Sequence, residues 1–232
     1  MGIYEVFNNI SSVGLFYFLE GVISLVVAYK FFKAFQKSKN RITKNFAFLF
    51  FFLTITFLLW SLPSLLFPEN NLLLNLGSLL GEVFIFLGFT FGMRAFVATR
   101  FPQFPQNLVS LGVILVGAFI VSLNASIFGS SYLNPQGVIE WHLHPLAIKI
   151  YSTMILILTI ALGFEFFRAS IINPESRIRP ILLGLGSLLA GIGGVLVISN
   201  IPWQILLLGH TILFLGIVCI GCAVFFTEKP SV

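Results

Sequence analysis

The chain has 232 residues, of which 58% are hydrophobic and 9% charged. A soluble domain carries about a quarter charged residues, so this chain has too little polar surface to cover itself in water, and its solvent is lipid. The formal net charge of +5 could suggest nucleic acid, but the basic residues sit where apolar runs end, which membrane topology explains with no nucleic-acid partner.

Seven apolar runs are long enough to cross a bilayer as helices: 13–35, 45–66, 72–98, 108–128, 146–167, 181–198 and 203–226. The fold class expected is all-α, one seven-helix transmembrane domain over residues 1–232. A spanning barrel would instead show short alternating segments. Turn chemistry separates the runs: Pro68-Glu69-Asn70-Asn71, Pro102 and Pro105, Asn134-Pro135-Gln136-Gly137, Asn173-Pro174 and Asn200-Ile201-Pro202. The opening residues, MGIYEVFNNISS, lack the basic start of a signal peptide.

Orientation follows from Lys and Arg. Lys30, Lys33, Lys37, Lys39, Arg41 and Lys44 flank the first connection, Arg94 and Arg100 the third, Arg168, Arg177 and Arg179 the fifth, and Lys229 follows the last span. Lys149 alone falls on the other side. The positive-inside rule makes the populated side cytoplasmic, with the N-terminus outside, in a multi-pass protein of the cell membrane. Trp141 and Trp203 are expected in the aromatic belt of the opposite interface. No extra-membrane segment is long enough for a soluble output domain, so any output passes through short loops or a partner.

A short internal likeness joins the ends of spans 1 and 5. Tyr29-Lys30-Phe31-Phe32-Lys33-Ala34 matches Phe164-Glu165-Phe166-Phe167-Arg168-Ala169, and Arg41-Ile42 matches Arg177-Ile178. It permits a parallel 3+1+3 arrangement, although an aromatic belt followed by basic residues reads alike wherever it occurs. Small residues predict close helix contacts at Gly77, Gly81, Gly88 and Gly92 in span 3. Gly184, Ser187, Gly191 and Gly194 in span 6, with Gly209 and Gly216 in span 7, predict the same.

Ionisable groups at membrane depth are costly, and three occur. At 1.5 Å per residue, Glu20 and His210 lie roughly 10 Å inside and Glu82 roughly 15 Å inside, all in the half opposite the basic residues. Trp60 and Asn124 are at comparable or shallower depth. Ser78 shares a helix face with Glu82, and Tyr17 and Ser24 share one with Glu20, so both carboxyls are expected to face the bundle interior. One reading is a polar pocket between spans 1, 3 and 7, open to the outside, that binds a ligand or moves protons. The other is an interhelical cluster that only fixes packing. Glu82 is expected within direct or single-water hydrogen-bonding reach of a polar group of span 1 or span 7.

Glu140, His142 and His144 form E-W-H-L-H in the longest loop. The pair of histidines could ligate zinc or copper, but no fourth ligand is evident, and a solvated loop is the simpler reading. Cys219 and Cys222 read as small hydrophobes in span 7. No cofactor is expected. A retinal protein would need a lysine in the last span. An intramembrane aspartyl protease needs Asp, and a ceramidase-type hydrolase needs Asp with several His; the chain has no Asp.

Seven helices, an outside N-terminus, the basic first connection and Trp60 within Leu58-Leu59-Trp60-Ser61-Leu62 resemble the seven-helix sensor modules of bacterial sensor kinases. Those modules precede a cytoplasmic kinase or cyclase, and here no output domain is expected. The resemblance implies a sensor-like module that binds a small or lipidic ligand and signals through a membrane or cytoplasmic effector at the basic first connection. A small proton-coupled transporter is the second reading and a lipid-modifying enzyme the third. None would be a conventional soluble enzyme.

Overall fold

The computed structural model describes residues 11–172, 177–199 and 201–225. Seven helices occur among them: α1 (Ser12–Ser38), α2 (Arg41–Leu66), α3 (Asn71–Arg100), α4 (Gln106–Ala125), α5 (Pro145–Ile172), α6 (Ile178–Ile198) and α7 (Trp203–Phe225). All seven are long and apolar enough to cross a membrane. The Asn173-Pro174 turn, Asn200 and the tail with Lys229 lie outside the described residues.

α1, α2 and α3 overrun their apolar windows because local caps set their ends, whereas α4 stops at Ala125, short of 128. α1 continues to Ser38 and α2 begins at Arg41, so the basic connection contains two residues rather than a flexible loop. Lys39 takes the left-handed conformation that terminates a helix, with φ 53°. The Asn40 side chain accepts from the Ile42 N–H at 2.8 Å and caps α2. At the opposite end, Asn70 caps α3 by accepting from Leu73 N–H at 3.1 Å.

Consecutive helices pack side by side, and α7 returns against α1 to close a ring. The exception is α4, which lies outside the ring, mainly against α3. α3 and α5 meet less extensively. At the basic end, Glu165 of α5 takes Arg100 of α3 at 3.8 Å and Arg168 at 3.3 Å. The outward faces are apolar, as in Leu108, Leu115, Phe164 and Leu208, each more than half exposed. That is the surface a helix presents to lipid.

Small residues set the closest approaches. Gly77, Gly81 and Gly88 of α3 face α2: Gly81 lies under the Trp60 indole and Gly77 against the Leu59 carbonyl. Pro63 has no N–H to offer that carbonyl. Gly184, Gly191 and Gly194 of α6 face α5. The opposite face of α6 carries Gly186 and Gly193, which mesh with Gly216 and Gly209 of α7. A methyl added at Gly216 would meet the Ala190 nitrogen at 2.5 Å and the Gly186 oxygen at 2.8 Å, and neither backbone can move aside cheaply. Gly193→Ala and Gly216→Ala are therefore expected to destabilise by about 1–3 kcal/mol, exceeding the helix-propensity gain of about 1 kcal/mol. Gly112→Ala, where nothing lies within 4 Å, is the control and should stabilise slightly. Thermal unfolding in detergent measures both.

The loop between α4 and α5 is not simply solvated. A minimal antiparallel hairpin pairs Tyr132–Leu133 (β1) with Ile139–Glu140 (β2) around the Asn134–Gly137 turn. Strands of two residues leave no periodic signal, so only the turn was legible. From Val138 to Leu143 the chain lays Val138, Ile139, Trp141 and Leu143 into the bundle mouth. Trp141 is thus 9% exposed, packed inside the bundle mouth rather than on the outer surface. Asn75 of α3 holds the hairpin: its amide donates to Ser131 O and its oxygen accepts from Ser131 N–H, both at 3.3 Å.

Candidate functional site

The three ionisable groups at depth are buried, Glu20 at 0% exposure, Glu82 at 1% and His210 at 0%. They do not form one cluster. Ring closure sets α7 against α1 and brings the His210 Nδ1 to 4.0 Å from Glu20 Oε1. Phe16 stacks on the imidazole at 5.7 Å and Tyr17 meets it edge-on at 4.7 Å. Neither Glu20 oxygen and neither His210 nitrogen finds a hydrogen-bond partner among the described residues, nor does the Ser24 hydroxyl.

Glu82 turns elsewhere. The Asn124 amide of α4 donates to both of its carboxyl oxygens, at 2.9 and 3.0 Å. The Asn124 oxygen accepts from the His144 N–H at 2.9 Å. Its direct partner is therefore on α4, while Tyr17 of the first span lines a small pocket together with Glu82, and the three ionisable groups fall into two separate sets. The reason is the ring order, which places α4 beside α3.

Aromatic rings occupy the space between those groups. Tyr17 packs on Trp60 at 5.1 Å and on Trp141 at 6.2 Å, as well as on His210. Trp60 donates its indole N–H to the Ser78 carbonyl at 3.3 Å. The Trp141 N–H lies near the Tyr17 hydroxyl without reaching hydrogen-bond geometry. Tyr17, Ser78, Glu82 and Tyr151 line a small pocket of about 20 Å³ roofed by Trp141 and Leu143.

Below it, towards the basic end, lies a larger central chamber of about 120 Å³. Every helix except α4 lines it, for example through Phe31, Phe50, Phe89, Leu158, Ser187 and Ile217. Its few polar groups are mostly spent elsewhere. The Ser187 hydroxyl donates to Leu183 O at 2.8 Å and Thr159 to Ile155 O at 2.8 Å. Trp60, Tyr151, Val197 and Ile198 line both spaces and separate them. Tyr151, which the sequence reading did not single out, is 1% exposed, and its hydroxyl has no hydrogen-bond partner among the described residues. A tyrosine within an apolar run gives no signal of its own.

The E-W-H-L-H residues divide between faces. Glu140 accepts from the Tyr132 hydroxyl at 3.1 Å and the Asn134 amide at 2.8 Å, and His142 lies 3.7 Å from it. Glu140 raises the Tyr132 phenol pKa above its ordinary value, first through that hydrogen bond and then through its charge. The His144 Nδ1 accepts from Leu146 N–H at 3.2 Å and so caps the start of α5. No three His, Cys, Asp or Glu side chains gather as a metal site among the described residues. Cys222 is exposed and Cys219 partly buried, both unpaired. Comparison of the chain with protein-family models, with curated proteins and with solved structures gives no match.

Proposed function

We propose that the protein is a sensor-like seven-helix membrane module that holds a small apolar or lipidic ligand in its central chamber and acts through a partner. The observation that carries this reading is the chamber: a space at the bundle axis whose serine and threonine hydroxyls are turned back onto their own helices, leaving walls suited to hydrocarbon. The ligand site therefore moves from the outer polar pocket, which is about water-sized, into the apolar space beneath it.

By the positive-inside argument the two-residue basic turn faces the cytoplasm of the cell membrane. Lys33, Lys37, Lys39, Arg41 and Lys44 are exposed on adjoining helix ends and form a fixed positive surface that an acidic effector or anionic lipid would meet. A proton-coupled transporter draws support from the buried Glu20–His210 pair, but the chamber offers no chain of free polar groups towards the basic end.

Native mass spectrometry of the protein released from membrane is expected to find a retained apolar molecule. Leu158→Trp and Ser187→Leu, which fill the chamber, should lose it. In liposomes the protein should move neither protons nor solute. No retained molecule, or the same retention in both filled variants, overturns the reading; proton flux that depends on Glu20 favours the transporter.

A further inference from the structure

We infer that the ligand is a slender, uncharged amphiphile bearing a single terminal oxygen, an unbranched alcohol or aldehyde of about six carbons, with its chain in the chamber and its oxygen on the Tyr151 hydroxyl. This rests on the chamber reading and names the chemistry that would recognise the ligand.

Shape restricts the chain. The chamber extends along α2 from Phe46 to Trp60, about 21 Å at 1.5 Å per residue. Its 120 Å³ is comparable with a compact engineered cavity of about 150 Å³ that takes up benzene. By that comparison the space holds a chain of about six carbons, and its narrow form along α2 suits one unbranched chain and not fused rings.

The head is restricted by the polar end. Tyr151 stands where the chamber meets the small pocket, and its buried hydroxyl has no partner among the described residues. A buried hydroxyl left in that condition costs about 1–3 kcal/mol, which an oxygen supplied by a ligand would recover. The pocket beyond it, about 20 Å³, admits one water-sized group. A carboxylate or phosphate head is both larger and negatively charged, and would come to rest beside the Glu82 carboxyl. A hydroxyl or aldehyde oxygen fits by size, and Tyr151 can donate to either. Glu82 is already held in place by the Asn124 amide, so the polar end is preformed.

The full chain in lipid nanodiscs tests this with an unbranched primary alcohol of about six carbons carrying a mid-chain diazirine, followed by peptide mapping after photolysis. Labelling is expected on the chamber-lining stretches of α2 and α5. The unlabelled alcohol should compete about tenfold better than the hydrocarbon or the carboxylic acid of equal length, as one buried hydrogen bond predicts. Tyr151→Phe keeps the ring and should erase that preference while chamber labelling persists. Equal competition by the hydrocarbon, stronger competition by the acid, or an undiminished preference in Tyr151→Phe overturns the head-group assignment and leaves the chamber reading standing. Absence of chamber labelling, or labelling unchanged in both Leu158→Trp and Ser187→Leu, overturns the chamber reading and this inference with it.

Discussion

Asn124→Leu is expected to lower the stability of the protein by about 3 kcal/mol, more than any other single substitution of a buried polar residue. Asn124 makes three bonds at once: two to the Glu82 carboxyl and one from the His144 N–H. An interhelical hydrogen bond in a membrane protein averages only about 0.6 kcal/mol when both ends can find other partners. Here they cannot. Leucine strands a carboxyl that is 1% exposed and an amide at the start of α5. The expected cost is therefore that of orphaned groups, not of lost bonds. The double variant Glu82→Leu/Asn124→Leu removes the stranded carboxyl and should be more stable than Asn124→Leu alone. Glu82→Gln keeps one acceptor for the Asn124 amide and should fold. Reversible denaturation in mixed micelles, run as a double-mutant cycle, measures the coupling. A loss below about 0.5 kcal/mol for Asn124→Leu would show that α4 and the hairpin do not depend on this junction.

The Glu20–His210 pair should behave in the opposite sense. Glu20→Leu/His210→Leu is expected to stabilise the protein by about 1–3 kcal/mol. Both residues are wholly buried, 4.0 Å apart, and none of their side-chain nitrogen or oxygen atoms has a hydrogen-bond partner among the described residues. At that separation no hydrogen bond joins the two groups, while both are wholly removed from water. Leucine fits an environment already built from Phe16, Phe214 and the Tyr17 ring. His210→Leu alone leaves the carboxyl by itself and should destabilise. The two denaturation midpoints, compared in the same detergent, decide the matter. A double variant less stable than the parent would make the pair an element of the α1–α7 contact. A more stable one would mean that the pair persists for something other than packing.

The apolar runs determined seven helices long and apolar enough to cross a membrane, because a backbone in hydrocarbon must satisfy its own hydrogen bonds and the helix is the local way to do so. The caps at Asn40 and Asn70 are equally local, since a cap needs only its own next turn, but hydropathy alone began those spans later, at 45 and 72. The depth of Glu20, Glu82 and His210 followed from counting residues. Their partners did not. Which face of α3 meets α4, and that α7 closes onto α1, depend on packing between segments far apart in sequence. That packing joined Glu82 to Asn124 and Glu20 to His210. It also used Gly186 and Gly193, on the face of α6 opposite the glycines of the legible stripe, to admit α7. The hairpin placed Trp141 in the mouth of the bundle, where its sequence position beside a polar loop suggested an interface. The chamber was least legible of all. It is formed by one strip from each of six helices, and in lipid the inward and outward strips are equally apolar, so hydropathy carries no record of which side faces the axis.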